Sequence, residues 1–410
     1  LLAGGAALGQ AVTVVVSPVL TRLYSPEDFG AFGVYASVLG IITVIASLRY
    51  EYAIPLPQEE ETAANLVALC FLLLAVTSSV AWIAVHFLAE RIVVWANVPA
   101  LKRYLWLVPL GMLGAGAYQI LNYWAVRQRD FPRIARTRFS RGVARAALQV
   151  GVGAVYSGPL GLLLGQLAGE SAGSASLGLA GWGKDRSWFK AVDLEGMRQA
   201  AGRYRRFPLF SGWADLFESL GLQLPQLLLA AFYGPAVAGW FALGQRVIAA
   251  PLNIIVDSVA QVFFGEAVRT VRTDPRAARR LFLKLSGRLA LTGGLPVAAI
   301  CTLAPWFFTS VFGPVWDVAG RYVQIMGTMF AVRLAVVPLV HTFSIVERQD
   351  LYLFWQATRL ILVVGGLFGG KAWGASHLSA VLIYSASMLA AYVLMWVIAW
   401  SAFSQNPRHR

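Results

Sequence analysis

Charge is scarce in this sequence, and acidic charge scarcer still. Only 13% of the 410 residues are charged, with 20 Asp or Glu against 34 Lys or Arg. A soluble globule of this length needs more polar surface than that. With 58% hydrophobic residues and a mean hydropathy of +0.63, the composition points to a polytopic membrane protein. The strict alternation of an outer-membrane barrel is lacking, so the apolar runs read as helices. The two cysteines, Cys70 and Cys301, lie inside apolar runs and read as core packing, so no disulfide or metal framework is implied. The four histidines, His86, His341, His377 and His409, are scattered and form no HExxH or paired spacing. Gly178 to Lys184, GLAGWGK, imitates a phosphate-binding loop, but Asp185 stands where Ser or Thr would hold magnesium and no strand precedes it. Asp215 and Glu218 share a helix face at i and i+3 without a nucleophile beside them. An enzyme reading therefore lacks its parts, and no cofactor is implied.

What the chain has in abundance is apolar runs of spanning length. They predict about twelve transmembrane helices, near 1–20, 30–48, 63–88, 103–125, 142–156, 159–182, 209–231, 236–263, 287–309, 321–343, 351–369 and 374–402. Residue 1 is Leu, so a few residues are expected to precede it, and Leu1 to Leu20 reads as a first span rather than a signal peptide. The outer connections, such as YSGP at Tyr156 to Pro159, are too short for a folded domain.

The chain reads as two related halves. Ser17 to Pro57 has the plan of a membrane hairpin, and its Pro26, Gly30 and Phe32 form a P-x-x-x-G-x-F pattern that recurs at Pro235, Gly239 and Phe241. Each copy follows a proline expected inside a helix, Pro18 and Pro225, and matching bends are candidate gates or hinges for alternating access. The predicted division is a six-helix bundle over 1–183, a cytoplasmic basic linker over 184–207 and a second six-helix bundle over 208–410. In the linker, SWFKAVDLEGMRQAAGRYRRF suits an amphipathic surface helix with Trp188, Phe189 and Leu194 dipping into the inner leaflet. In the sixth span, Gly161, Gly165, Gly169, Gly173 and Gly178 let helix backbones approach closely.

The net charge of +14 is unevenly placed. Seven Lys or Arg fall between Arg127 and Arg145, seven between Lys184 and Arg206, and seven between Arg269 and Arg288. Assigned to the loops after spans four, six and eight, these clusters face one side, which the positive-inside rule makes the cytoplasm, with both termini there. Roughly 25 basic residues then lie inside and six outside. Anionic lipid headgroups account for the basic stretches, and nucleic acid is not an expected partner.

Several ionisable residues stay within the spans: Arg246, Arg333 and Arg359, and Glu170, Asp215, Glu218 and Asp257. Each Arg or Asp at a bilayer centre costs about 2.5–3.5 kcal/mol on the insertion scale, so such residues face a watery interior or a partner. By depth, Glu218 and Arg246 are expected to be able to pair. Guanidinium groups bind phosphate oxygens two at a time and keep their charge when partly dehydrated. Arg246, Arg333 and Arg359, with Arg49 nearer the cytoplasmic mouth, are therefore the candidate binding residues for an anionic ligand. Asp215, Glu218 and Asp257 are candidates for proton or sodium coupling.

These residues carry a resemblance. LTRLYSPEDFGAF (Leu20 to Phe32), RYEYAIPLP (Arg49 to Pro57), RYRRFPLFSGW (Arg203 to Trp213), the run Gln223 to Pro251 and VFGPVWDVAG (Val311 to Gly320) resemble the polysaccharide or O-antigen flippases of the multidrug/oligosaccharidyl-lipid/polysaccharide exporter superfamily. The resemblance implies an all-α membrane fold of two six-helix bundles around a central cavity, as in multidrug exporters. It implies alternating access in a bacterial cytoplasmic membrane, moving an undecaprenyl-pyrophosphate-linked oligosaccharide from the inner to the outer leaflet for surface polysaccharide such as lipopolysaccharide, with glycan polymerase and assembly proteins as partners. Arg333 and Arg359 match no motif of that family and rest on the physical argument alone. The rival readings are a cation-coupled multidrug exporter of the same fold, which would favour acidic and aromatic cavities, and a membrane glycan ligase or polymerase.

Overall fold

The computed structural model describes residues 2–185, 192–273 and 275–402, and these build helices with no β-strand among them. The helices form two compact units, Leu1–Gly239 and Trp240–Arg410. Among the described residues, seven helices, taken by length and composition alone, are long and apolar enough to cross a membrane. Large apolar side chains such as Phe87, Val94, Ile300 and Ile361 point outward. In water that would be an aggregation surface; it is what a lipid-facing wall requires.

The first unit holds α1 (Leu2–Val15), α2 (Ser17–Leu23), α3 (Pro26–Val44), α4 (Glu60–Ala96), α5 (Leu107–Arg127), α6 (Phe131–Gly153), α7 (Leu160–Asp185), α8 (Leu194–Arg203) and α9 (Gly212–Tyr233). It ends within α10 (Pro235–Gly244). The first unit takes in α9, which packs along α3. α3 starts where the sequence supplies every entry signal. Ser25 Oγ accepts from Asp28 N at 3.2 Å, Asp28 returns the bond to Ser25 N at 3.0 Å, and Pro26 opens the first turn. Its buried face, with Ala31, Val34, Tyr35 and Leu39, joins the core of α4 and α5. The Tyr35 hydroxyl is satisfied there by donating to the Leu107 carbonyl.

Pro18 does not sit inside a continuous helix as expected. The helix breaks at Val16, and Pro18 occupies the first turn of α2, where its missing N–H costs nothing. Pro225 is inside α9 as expected. The basic residues from Arg133 to Arg145 are likewise not in a loop: they belong to α6, and those from Arg279 to Arg288 belong to α12 (Pro275–Leu289). Arginine and apolar residues alternate there with a helical period, which an average over charge alone misreads as a connection. Of the linker, Trp188 and Phe189 lie outside the described residues. Its second half is α8, capped by Asp193, docked on α4, with Leu194 exposed.

The P-x-x-x-G-x-F copies turn out to be each other's packing partners. A Cβ on Gly30 would lie 1.9 Å from the Pro235 carbonyl oxygen, and one on Gly239 would lie 1.7 Å from that of Pro26. The first turns of α3 and α10 thus cross with backbone against backbone, which only glycine permits.

The second unit continues α10 through a π-helical stretch, Gln245–Ala249, into α11 (Ala250–Thr273). It then adds α12, a second π-helical stretch (Ala290–Gly294), α13 (Leu295–Thr302), α14 (Ala304–Phe312), α15 (Asp317–Val336), α16 (Thr342–Ile345), α17 (Gln349–Ala372) and α18 (His377–Ala402). α15 is its axis. Buried Tyr322, Met326 and Phe330 face the neighbours, and Gly320 and Gly327 admit α14 and Cys301 of α13. α17 and α18 pair as a hairpin, with Trp355 Nε1 donating to the Ala391 carbonyl at 2.7 Å.

Candidate functional site

In the first unit the chain between α3 and α4 turns sharply. Leu48 and Arg49 both take left-handed backbone, with φ of 51° and 63°, which is strained for side-chain-bearing residues. The turn aims Arg49 inward, where it is only 8% exposed. Its Nη1 pairs with Glu51 Oε1 at 3.2 Å and its Nε with Asp215 Oδ2 of α9 at 2.9 Å. Ser47 Oγ donates to the other Glu51 oxygen, and the Tyr52 hydroxyl donates to Asp215 at 2.8 Å. The guanidinium also lies 5.1 Å from the centre of the Tyr52 ring, which packs edge-on against Tyr123. Burial works against the charge on Arg49, but Tyr52, Asp215 and Glu51 outweigh it and hold the guanidinium proton more tightly than usual. Burial in turn pushes the Tyr52 phenol up, so it stays a donor.

Arg49 and Asp215, given separate roles by sequence reasoning, are therefore one ion-pair cluster, and Glu218 is half-buried three residues further along α9. Ten residues beyond Asp215 comes Pro225. There α9 and α10 are tied by Gln226 Nε2 donating to the Ala238 carbonyl at 2.9 Å.

In the second unit Arg246 sits in the π-helical stretch and is half-buried. Single π-turns recur at functional sites because they shift the register of the side chains that follow. Its neighbour Gln245 reaches the Tyr384 hydroxyl at 3.5 Å. Arg333 donates to Asn253 Oδ1 of α11, and buried Arg359 lies 5.0 Å from the Trp355 ring centre. Tyr384 is within electrostatic reach of both Arg333 and Arg359. These two arginines accordingly converge on α18, while Asp257 is exposed rather than sheltered, within reach of His341. Hydropathy could place Asp257 in a helix but not on a face. Beside these elements runs an open apolar groove of about 500 Å³, lined by Ala290, Leu295, Ala298, Val332, Val336 and Trp396 among others.

One charged cluster was missed. Arg141 and Arg145 of α6 both pair with buried Glu170 of α7. The signal was present, since residues 137, 141, 145 and 149 share a face, but the basic run concealed it. Gly165, Gly169 and Gly173 do bring α7 close to α6 as expected, and the side chains of Gln149, Arg145 and Arg141 lie against them.

Guanidinium groups are thus held within the helical units by two carboxylates at Arg49, one shared carboxylate at Arg141 and Arg145, an amide at Arg333 and a ring at Arg359. A model of polysaccharide biosynthesis proteins matches residues 19–320. The teichuronic acid biosynthesis protein TuaB of Bacillus subtilis is 23% identical over 339 residues, 81% of this chain and 65% of its own length. The succinoglycan biosynthesis transport protein ExoT of Rhizobium meliloti is 20% identical over 367 residues, 88% of this chain and 71% of its own. Among solved structures, the inward-facing conformation of a multidrug resistance MATE family transporter of the MOP superfamily superposes with a TM-score of 0.72 at 15% identity, covering 99% of this chain and 96% of that one. The eukaryotic MATE transporter AtDTX14 gives 0.62 at 14%, with 99% and 96% covered. The chain belongs to the polysaccharide biosynthesis protein family and has the all-helical fold of the MATE-like transporters of the MOP superfamily.

Proposed function

We propose that the protein is a lipid-linked oligosaccharide flippase of a bacterial cytoplasmic membrane, passing undecaprenyl-pyrophosphate-linked glycan units from inner to outer leaflet by alternating access. The reading rests above all on arginine kept inside apolar units: Arg49 in the first, and Arg246, Arg333 and Arg359 in the second. A cation-coupled drug exporter should prefer acidic and aromatic cavities, whereas guanidinium groups suit a pyrophosphate that must leave water. In this mechanism the four arginines receive the pyrophosphate and any acidic sugars, and the apolar groove of the second unit gives the polyprenyl tail a surface to rest on. Asp215, Glu218 and Asp257 take part in proton or sodium coupling, and the helix break before Pro18 and the in-helix Pro225 give the first and seventh spans their bending points. The two halves flanking the 184–207 linker act as repeats, both termini are cytoplasmic, and a glycan polymerase of O-antigen or related surface polysaccharide receives the product.

The test is a flipping assay in vesicles loaded with a defined lipid-linked glycan, run with and without a pH or sodium gradient. Glycan exposure on the far leaflet should depend on the protein and accelerate with one of the two gradients. Exposure no faster than in empty vesicles under either gradient contradicts the reading.

A further inference from the structure

The cluster around Glu170 is built unlike a structural ion pair. Arg141 Nη2 contacts one Glu170 oxygen, Arg145 Nη2 contacts the other at 3.1 Å, and Gln166 Nε2 donates to that same oxygen at 3.2 Å. Two guanidinium groups thus share one carboxylate, leaving an excess positive charge among packed helices. The Nε atoms of both arginines are buried and make no hydrogen bond within the chain. The Glu170 side chain is 8% exposed, while those of Arg141 and Arg145 keep 20% and 24%, so the cationic side is the one that can be reached.

α7 is shaped to hold these side chains. A Cβ at Gly173 would lie 2.6 Å from Arg141 Cδ, and one at Gly169 would lie 3.2 Å from Arg145 Nε. On the α5 side the Tyr118 ring centre is 3.8 Å from the Arg141 guanidinium carbon. A stacked, preorganised guanidinium pair with spare donors is the geometry that grips phosphate oxygens.

We propose that Arg141 and Arg145 form a phosphate-binding site in the first unit, and that Glu170 fills it as an internal counter-anion that an incoming phosphate displaces. The site stands on this geometry; only the naming of the cargo pyrophosphate as its ligand rests on the proposed function. The same chemistry is offered by phospholipid headgroups of the bilayer.

Purified protein is titrated with inorganic pyrophosphate and, separately, with glycerol 1-phosphate, as stand-ins for cargo and headgroup. Removing the competing carboxylate with Glu170→Gln should raise affinity at least about tenfold. The gain should vanish when Arg141→Gln and Arg145→Gln are added. Arg145→Gln alone, which leaves one guanidinium against one carboxylate, should melt near the wild-type temperature and bind at least about tenfold more weakly. This second measurement decides the matter if the Glu170 variant does not fold. A gain confined to pyrophosphate assigns the cargo; an equal gain with glycerol phosphate assigns the headgroup. No gain with either probe, or a gain that survives loss of both arginines, overturns the site. Because neither probe carries a glycan or a lipid tail, intact binding beside absent vesicle transport would count against the flippase reading alone.

Discussion

Arg49→Ala is expected to lower folding stability by about 3–5 kcal/mol, the usual cost of stranding buried partners of a removed charge, and to abolish transport. The cause is specific. Glu51 is 1% exposed and Asp215 is partly buried, and both are compensated by this one guanidinium. The loss therefore has two parts that can be separated. Adding Glu51→Gln and Asp215→Asn removes the stranded charges and should restore most of the melting temperature. If Arg49 also binds the anionic cargo, transport stays absent in this triple variant. Recovery of transport together with stability would reduce Arg49 to a structural cation.

The second large effect is expected at the backbone crossing of α3 and α10. Gly239→Val places carbon where the Pro26 carbonyl oxygen already is, and Gly30→Val does the same against Pro235. Overpacking a rigid contact costs about 1–3 kcal/mol, and more where backbone rather than a side chain must move. Each variant should therefore lose at least about 2 kcal/mol and most of its transport. Gly265→Ala is the matched control. It lies in α11 with open space where its Cβ would go, so alanine should be neutral or stabilise by up to about 1 kcal/mol. Equal melting temperatures for Gly239→Val and Gly265→Ala would mean that the two helices do not touch at these glycines in the working protein.

Much of this was legible in the residues. Length of apolar runs fixes helices, and the interior arginines could be named because hydrocarbon leaves a charge so few places to go. Arg359 is buried, and Arg246 and Arg333 are half-buried. Facing and pairing were not legible. The repeated P-x-x-x-G-x-F motif announced a relationship between segments, yet nothing in one strand of letters says that Gly30 and Gly239 meet. Asp257 lies in a helix as expected, but its exposure depends on rotation about the helix axis, set by neighbours distant in sequence. Arg141 and Arg145 were hidden for the opposite reason. A positive run is read as cytoplasmic loop, and only the glycine edge of α7 shows that two of its members are packed inward. Pro18 was misplaced because a proline in an apolar run opens a helix as readily as it bends one.

In the proposed mechanism, interior arginines carry a lipid-borne pyrophosphate. This is tested most directly by offering reconstituted vesicles the same oligosaccharide on two polyprenyl carriers, one through pyrophosphate and one through a neutral glycosidic link. Wild-type protein should expose the pyrophosphate-linked glycan on the far leaflet and leave the neutral one behind, and Arg333→Gln with Arg359→Gln should erase that preference. Equal movement of both carriers by the wild type would contradict the account.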